Sequence, residues 1–85
     1  DRLYSKGLYM NSCNWIPSAP AQKEFKCKAK FRYRQEEQGV TVRIGSDKIF
    51  VDFDEKQRAI TEGQFCVLYD DEKCLGGGVI EKAIF

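Results

Sequence analysis

Apolar and polar residues alternate with a period of two along most of this chain, and no window sustains apolar residues at i, i+3, i+4 and i+7. The pattern predicts an all-β protein with no helix longer than about two turns. Six strands are expected, over 7–16 (GLYMNSCNWI), 25–34, 40–44, 49–53, 65–69 and 79–85. Pro17 and Pro20 end the first, because a ring nitrogen gives nothing to a ladder. Gly45-Ser46-Asp47-Lys48 and Asp70-Asp71-Glu72-Lys73 read as hairpin turns, 54–64 (DEKQRAITEGQ) as a polar loop ending in a turn at Glu62-Gly63. So many short strands favour a small six-stranded antiparallel β-barrel, since closure removes exposed edges. A two-sheet sandwich is the competing architecture.

The 85 residues, 42% hydrophobic and 13% aromatic, suit one small domain whose density rests on its aromatic side chains. The chain starts at Asp1 without an initiator Met, which suggests a piece of a longer polypeptide. No run approaches a membrane span and no signal-peptide pattern is present, so a cytoplasmic protein without a membrane partner is expected. The cysteines Cys13, Cys27, Cys66 and Cys74 form no C-x-x-C pair and no histidine accompanies them; reduced, mostly buried thiols and no metal site are expected. Asp70, Asp71 and Glu72 need no ion to form a hairpin tip.

Charge is nearly balanced overall, at +1, yet unevenly placed: residues 23–34 carry six cations and one acid, leaving −4 on the remainder. In FKCKAKFRYRQ, Lys26, Lys28, Lys30, Arg32 and Arg34 occupy alternate positions, so on a strand they share one face over about 26 Å. Such a row is either the solvated face of a half-buried strand or a surface for a polyanion. Its uniform sign favours a compensating partner, because like charges on one face repel. A phosphate backbone supplies that partner, and Arg32 and Arg34 offer planar forks to it. The RNA-contact candidates are therefore Lys28, Lys30, Arg32, Arg34 and the adjoining Gln35, with Arg58 as a second RNA or interdomain contact. Trp15 reads as a core or interface anchor rather than a base-stacking residue.

Gly76-Gly77-Gly78 is followed by Val79-Ile80, without the Lys-Ser or Lys-Thr pair and helix of a phosphate loop. These glycines are read as structural, permitting a sharp bend or the close approach of another backbone during barrel closure.

Taken in order, NSCNWIP, AKFRYRQ and QRAITEGQFCVLYDDEKCLGGGVI closely resemble the C-terminal domain of bacterial tRNA-specific 2-thiouridylases, the MnmA family, over about Leu8 to Ile80. The resemblance implies a translation-factor-like β-barrel that follows an N-terminal ATP-pyrophosphatase domain and a central domain, both outside residues 1–85. It also implies the parent activity, a tRNA-uridine 2-sulfurtransferase that replaces the 2-oxygen of the wobble uridine with sulfur. ATP, Mg²⁺ and a persulfide sulfur-donor protein are implied for that parent, and tRNA and the enzyme's own other domains as partners. The SGGxDS pyrophosphate loop and reactive cysteines of the family have no counterpart here, so no catalytic residue and no cofactor are expected in this fragment. A tRNA-binding and positioning role is the leading expectation, and a structural or protein-interaction barrel without RNA contact the alternative. Lys56 and Glu62 stand where the family commonly has proline, which loosens those turns without redirecting them.

Overall fold

In the computed structural model, which describes residues 3–32 and 36–85, eight antiparallel strands join into one curled sheet, and no helix occurs among the described residues. They are β1 (Tyr4–Met10), β2 (Asn14–Trp15), β3 (Glu24–Lys30), β4 (Gln38–Ile44), β5 (Ile49–Arg58), β6 (Phe65–Asp70), β7 (Lys73–Val79) and β8 (Lys82–Ile84). The sheet order is β2-β7-β6-β3-β4-β5-β1-β8. Its two ends are linked by the chain itself, because β1 runs on into β2 and β7 into β8. The two ribbons keep one register throughout: Gly7 faces Ile84, and seven residues further along each, Asn14 faces Gly77. The sheet thereby curls onto itself as a barrel.

The count of eight corrects the expected six in two places: the strand expected over 7–16 breaks after Met10 into β1 and β2, and the glycine run expected to precede a strand over 79–85 is itself β7, with β8 the remnant beyond it. Ile80 turns its backbone away from the neighbouring ribbon, donating to Gln64 O at 2.7 Å and accepting from Gly63 N at 2.9 Å. The last ribbon is thus cut into β7 and β8, while Glu81 N resumes contact at Tyr9 O, 2.9 Å away. The Ile80 side chain, 1% exposed, enters the core at the cut.

Two strand ends also differ from expectation. β3 stops at Lys30 instead of Arg34, where the chain bends at Phe31-Arg32; Phe31 keeps the inward parity of the strand, its ring 5.1 Å from that of Phe53. β5 continues to Arg58, through residues whose polarity reads as loop. Those residues can be polar because the pairing with β1 is irregular there: β5 advances from Asp52 to Gln57 while β1 covers only Gly7 to Ser5. The buried Gln57 is held by its neighbours, its carbonyl accepting from Ser5 Oγ at 3.4 Å and its amide donating to Glu55 O at 2.9 Å. The turn after β5 has Gly63 at φ 90° and a weak Gln64 N to Thr61 O bond of 3.4 Å. Glu62 occupies the turn position that proline favours.

Inward positions of the strands make the core: Leu8, Met10, Ala29, Val40, Val42, Val51, Cys66 and Leu68 are fully buried. Trp15 is half-buried against it, edge-on to Phe25 at 6.2 Å between ring centres. The glycine run lies where the ribbons are tightest. A Cβ on Gly78 would collide with the Ser12 carbonyl oxygen and lie 3.0 Å from Met10 Sδ. One on Gly76, whose φ is 145°, would strike the Asn14 carbonyl oxygen.

Gly78→Ala is therefore expected to destabilise the fold by about 1–3 kcal/mol, the usual cost of forcing a methyl group into a filled site. The measurement is thermal melting, where each kcal/mol moves Tm by roughly 4–8 °C in a domain of this size. An unchanged Tm would show that the two ribbons separate readily at this point.

Candidate nucleic-acid interface

Charged and apolar side chains alternate on β3 because Phe25, Cys27 and Ala29 face the core, which leaves Lys26, Lys28 and Lys30 outward. The row is thus three lysines long on the strand. Arg32 has left it: past the bend, its Nη2 donates to the backbone oxygens of Arg58 and Ala59 at 3.2 and 2.9 Å. Two of the candidate cations, Arg32 and Arg58, are brought together by this contact, at the end of β5 where Ala59 adopts a left-handed φ of 59°. Arg34 and Gln35 lie outside the described residues.

Ion pairs and cation–ring contacts cluster on the outer surface around β4 and β5. Lys26 Nζ pairs with Asp54 at 3.0 Å and Arg43 with Asp52 at 2.7 Å. The Arg43 guanidinium also lies 5.9 Å from the Phe50 ring centre, and Lys48 Nζ 5.2 Å from that of Tyr9. Gly39, opposite Lys28, admits the Asp54 carboxylate where a side chain would stand.

Neither Lys28 nor Lys30 forms an ion pair with a described residue, although Glu36 and Glu37 border the same open hollow. Lys28 is opposite Tyr69 on β6 and Lys30 opposite Val67. Because Cys66 and Leu68 fill the core, Phe65, Val67 and Tyr69 all point outward. Phe65 is 50% exposed, and Val79, its partner on β7, is 54% exposed. The Phe65 ring lies over Gly77, close enough that a Cβ there would touch it at 2.8 Å. These side chains floor a shallow groove of about 310 Å³, lined by Lys30, Phe31, Arg32, Phe65, Val67 and Tyr69.

The aromatic floor is the part that charge patterning overlooks. Its signal is present in FCVLY, where residues of both parities are apolar, a feature suited to a strand covered on both faces.

The four cysteines are unpaired, with Cys66 buried and the others half-buried. Burial pushes the thiols of Cys13 and Cys27 up to about 11 and that of Cys66 up to about 12. Neighbouring groups add to this, Cys74 acting on Cys13 and Asp70 on Cys27. Thiols so shifted are protonated at neutral pH and are poor nucleophiles. No group of three or more metal-ligating side chains occurs among the described residues, and no described helix is long and apolar enough to cross a membrane.

The chain matches the family described as the aminomethyltransferase beta-barrel domain over residues 5–80. It is 56% identical over 81 residues to the tRNA-specific 2-thiouridylase MnmA of Shouchella clausii, covering 94% of this chain and 22% of that protein. It is 52% identical over 82 residues to the same enzyme of Exiguobacterium sibiricum, with 95% and 22% covered. With that of Lactococcus lactis subsp. cremoris strain MG1363 it shares 48% over 83 residues, 98% of this chain and 22% of the relative. The chain thus spans about a fifth of the length of these curated relatives.

Cys13, Cys27 and Cys66 are expected to resist iodoacetamide at pH 7.5 in the folded protein, while all four cysteines label in denaturant; rapid native labelling of Cys66 would contradict its burial. The raised thiol values also favour the folded state below the ordinary thiol value of 9.0 and lose that contribution as pH climbs through about 11 to 12, which urea unfolding at a series of pH values measures.

Proposed function

The chain belongs to the aminomethyltransferase beta-barrel domain family, in the form carried by tRNA-specific 2-thiouridylases, and from that premise we propose that it is the tRNA-binding and positioning module of such an enzyme. The carrying observation is the outward row of lysines on β3 beside an apolar strand face. Asp54 neutralises Lys26, whereas Lys28 and Lys30, further along the same row, stand without ion-pair partners among the described residues. A row of cations two residues apart suits the phosphates of a structured RNA, which is bound largely through its backbone and shape. Arg32 and Arg58 extend this row round the end of β5, with Arg32 holding the loop as well as adding charge.

In this reading the parent is a cytoplasmic tRNA-uridine 2-sulfurtransferase whose catalytic domains are separate from the barrel. ATP, Mg²⁺ and the persulfide donor act in those domains. The barrel's own residues do not suit the nucleotide, because the space over Gly76 and Gly78 is filled by backbone of Asn14 and Ser12 and leaves no phosphate cradle. The raised thiols of Cys13, Cys27 and Cys66 suit core packing better than sulfur relay. A second reading, a barrel that serves only to brace the enzyme's other domains, is favoured by the exposure of Phe65 and Val79.

The test is tRNA binding by the full-length enzyme as a function of salt. Lys28→Gln with Lys30→Gln is expected to weaken binding and to flatten the log-log salt dependence by roughly 0.7–0.9 for each phosphate no longer neutralised. An unchanged slope with an unchanged Tm would mean that the row is merely solvated. An unchanged slope with a lowered Tm would favour the bracing role. The isolated barrel is expected to hydrolyse no ATP and to thiolate no tRNA, in assays where the full-length enzyme does both.

A further inference from the structure

The groove on β6 asks for more than phosphate. Its floor of Phe65, Val67 and Tyr69 is apolar, yet Lys30 and Arg32 line the same hollow and Lys28 stands directly opposite Tyr69. A purely apolar partner would leave these cations pressed against its rim without acids to meet them, and a fully paired helix would place phosphates but nothing flat on the floor. A nucleotide whose base is unpaired satisfies both demands, with an aromatic face for the base and cations for the phosphates beside it.

We propose that the groove between the end of β3 and the outer face of β6 holds one unpaired base of the RNA, stacked on Tyr69, with its flanking phosphates on Lys28, Lys30 and Arg32 and with Val67 and Phe65 continuing the apolar floor beside it. The inference rests on the RNA-binding reading and adds the manner of contact. The volume of about 310 Å³ is at the lower end of the roughly 300–1,000 Å³ of small-molecule sites, which fits a single ring system. The floor is held in place from below: Leu68 and Cys66 anchor the strand in the core, and the Phe65 ring rests on the bare backbone of Gly77. Glu36 and Glu37 border Lys28 and Lys30 on the other side, so an anion is admitted from the β6 side, over the aromatic floor.

The experiment uses the full-length enzyme and two RNA probes, a hairpin with 2-aminopurine in its unpaired loop and a blunt duplex of equal length. Stacking is worth enough that Tyr69→Ala is expected to reduce hairpin affinity roughly 10- to 100-fold and to abolish the change in 2-aminopurine fluorescence on binding. Duplex affinity and the salt slope stay as in the unaltered enzyme, and Tyr69→Phe, which keeps the ring, restores hairpin binding. Equal loss on both probes, or no loss on the hairpin, overturns the proposal. So does a lowered Tm of Tyr69→Ala with RNA affinity intact, which would mean that another part of the enzyme covers the groove. The two readings fail separately. A Tyr69 effect confined to the hairpin alongside an unchanged slope in the Lys28 and Lys30 variants would support the stacked base and remove the phosphate row. The reverse pattern would remove the stacked base alone.

Discussion

Everything in this barrel depends on how closely its last ribbon can approach its first. The two share one register from Gly7–Ile84 to Asn14–Gly77, and the approach is tightest at Gly76 and Gly78, where carbonyl oxygens of the first ribbon fill the space a side chain would need. Hydrogen bonding alone would not require glycine. The requirement comes from curvature: a sheet of so few strands must bend sharply, and the bend brings one backbone over another. Once the ribbons meet, Ile80 can plug the core, Gly63 can bond to it, and the strands between them acquire an inside and an outside.

That division makes the outer surface informative. A small barrel places its inward residues in one shared core, so whatever points outward is either solvated, paired with a neighbour, or available to a partner. Around β4 and β5 several outward groups are paired: Arg43 with Asp52 and Phe50, Lys48 with Tyr9, and Lys26 of β3 with Asp54. On β3, β6 and β7, cations and exposed apolar rings stand side by side with no acid opposite Lys28 or Lys30 in the ladder. The acids follow the strand order. Asp52 and Asp54 both lie on β5: Asp52 pairs with Arg43 on the adjacent β4, and Asp54 reaches Lys26, two strands away on β3, past the bare backbone of Gly39 on β4.

Much of the fold is legible in the sequence because alternation is a direct record of a half-buried strand. The all-β class, the inward set on β3 and β4 and the turn at Glu62-Gly63 follow from residue order alone. The strand count is not legible, since the first ribbon breaks between Met10 and Asn14 and the last is split by the backbone bonding of Ile80 to residues 63 and 64, and a sequence pattern records side chains. The extent of β5 is hidden for a related reason: its polar half is irregularly paired with β1 and largely exposed, so it carries loop composition in strand geometry. The candidate cations are visible as a row, but the bend that sends Arg32 to the carbonyls of Arg58 and Ala59 is a tertiary event that alternation does not record. Phe65, Val67 and Tyr69 escape notice because an apolar strand reads as core, and only the direction of each side chain separates the core half from the exposed half.

The same geometry bears on what this barrel can and cannot host. A thiol that must attack has to be partly exposed and close to positive charge, whereas Cys13, Cys27 and Cys66 are withdrawn from water and their values are raised accordingly. A barrel that closes by bringing backbones into contact has little room to open a reactive pocket without losing its closure. Its outer face carries no such restriction: Lys28, Lys30 and Tyr69 can be exposed because their strand neighbours Cys27, Ala29 and Leu68 already hold the core. A rigid sheet with cations and rings at fixed spacing is well suited to positioning a large anionic substrate, and the physical demands of that task are the ones this small closed sheet can meet.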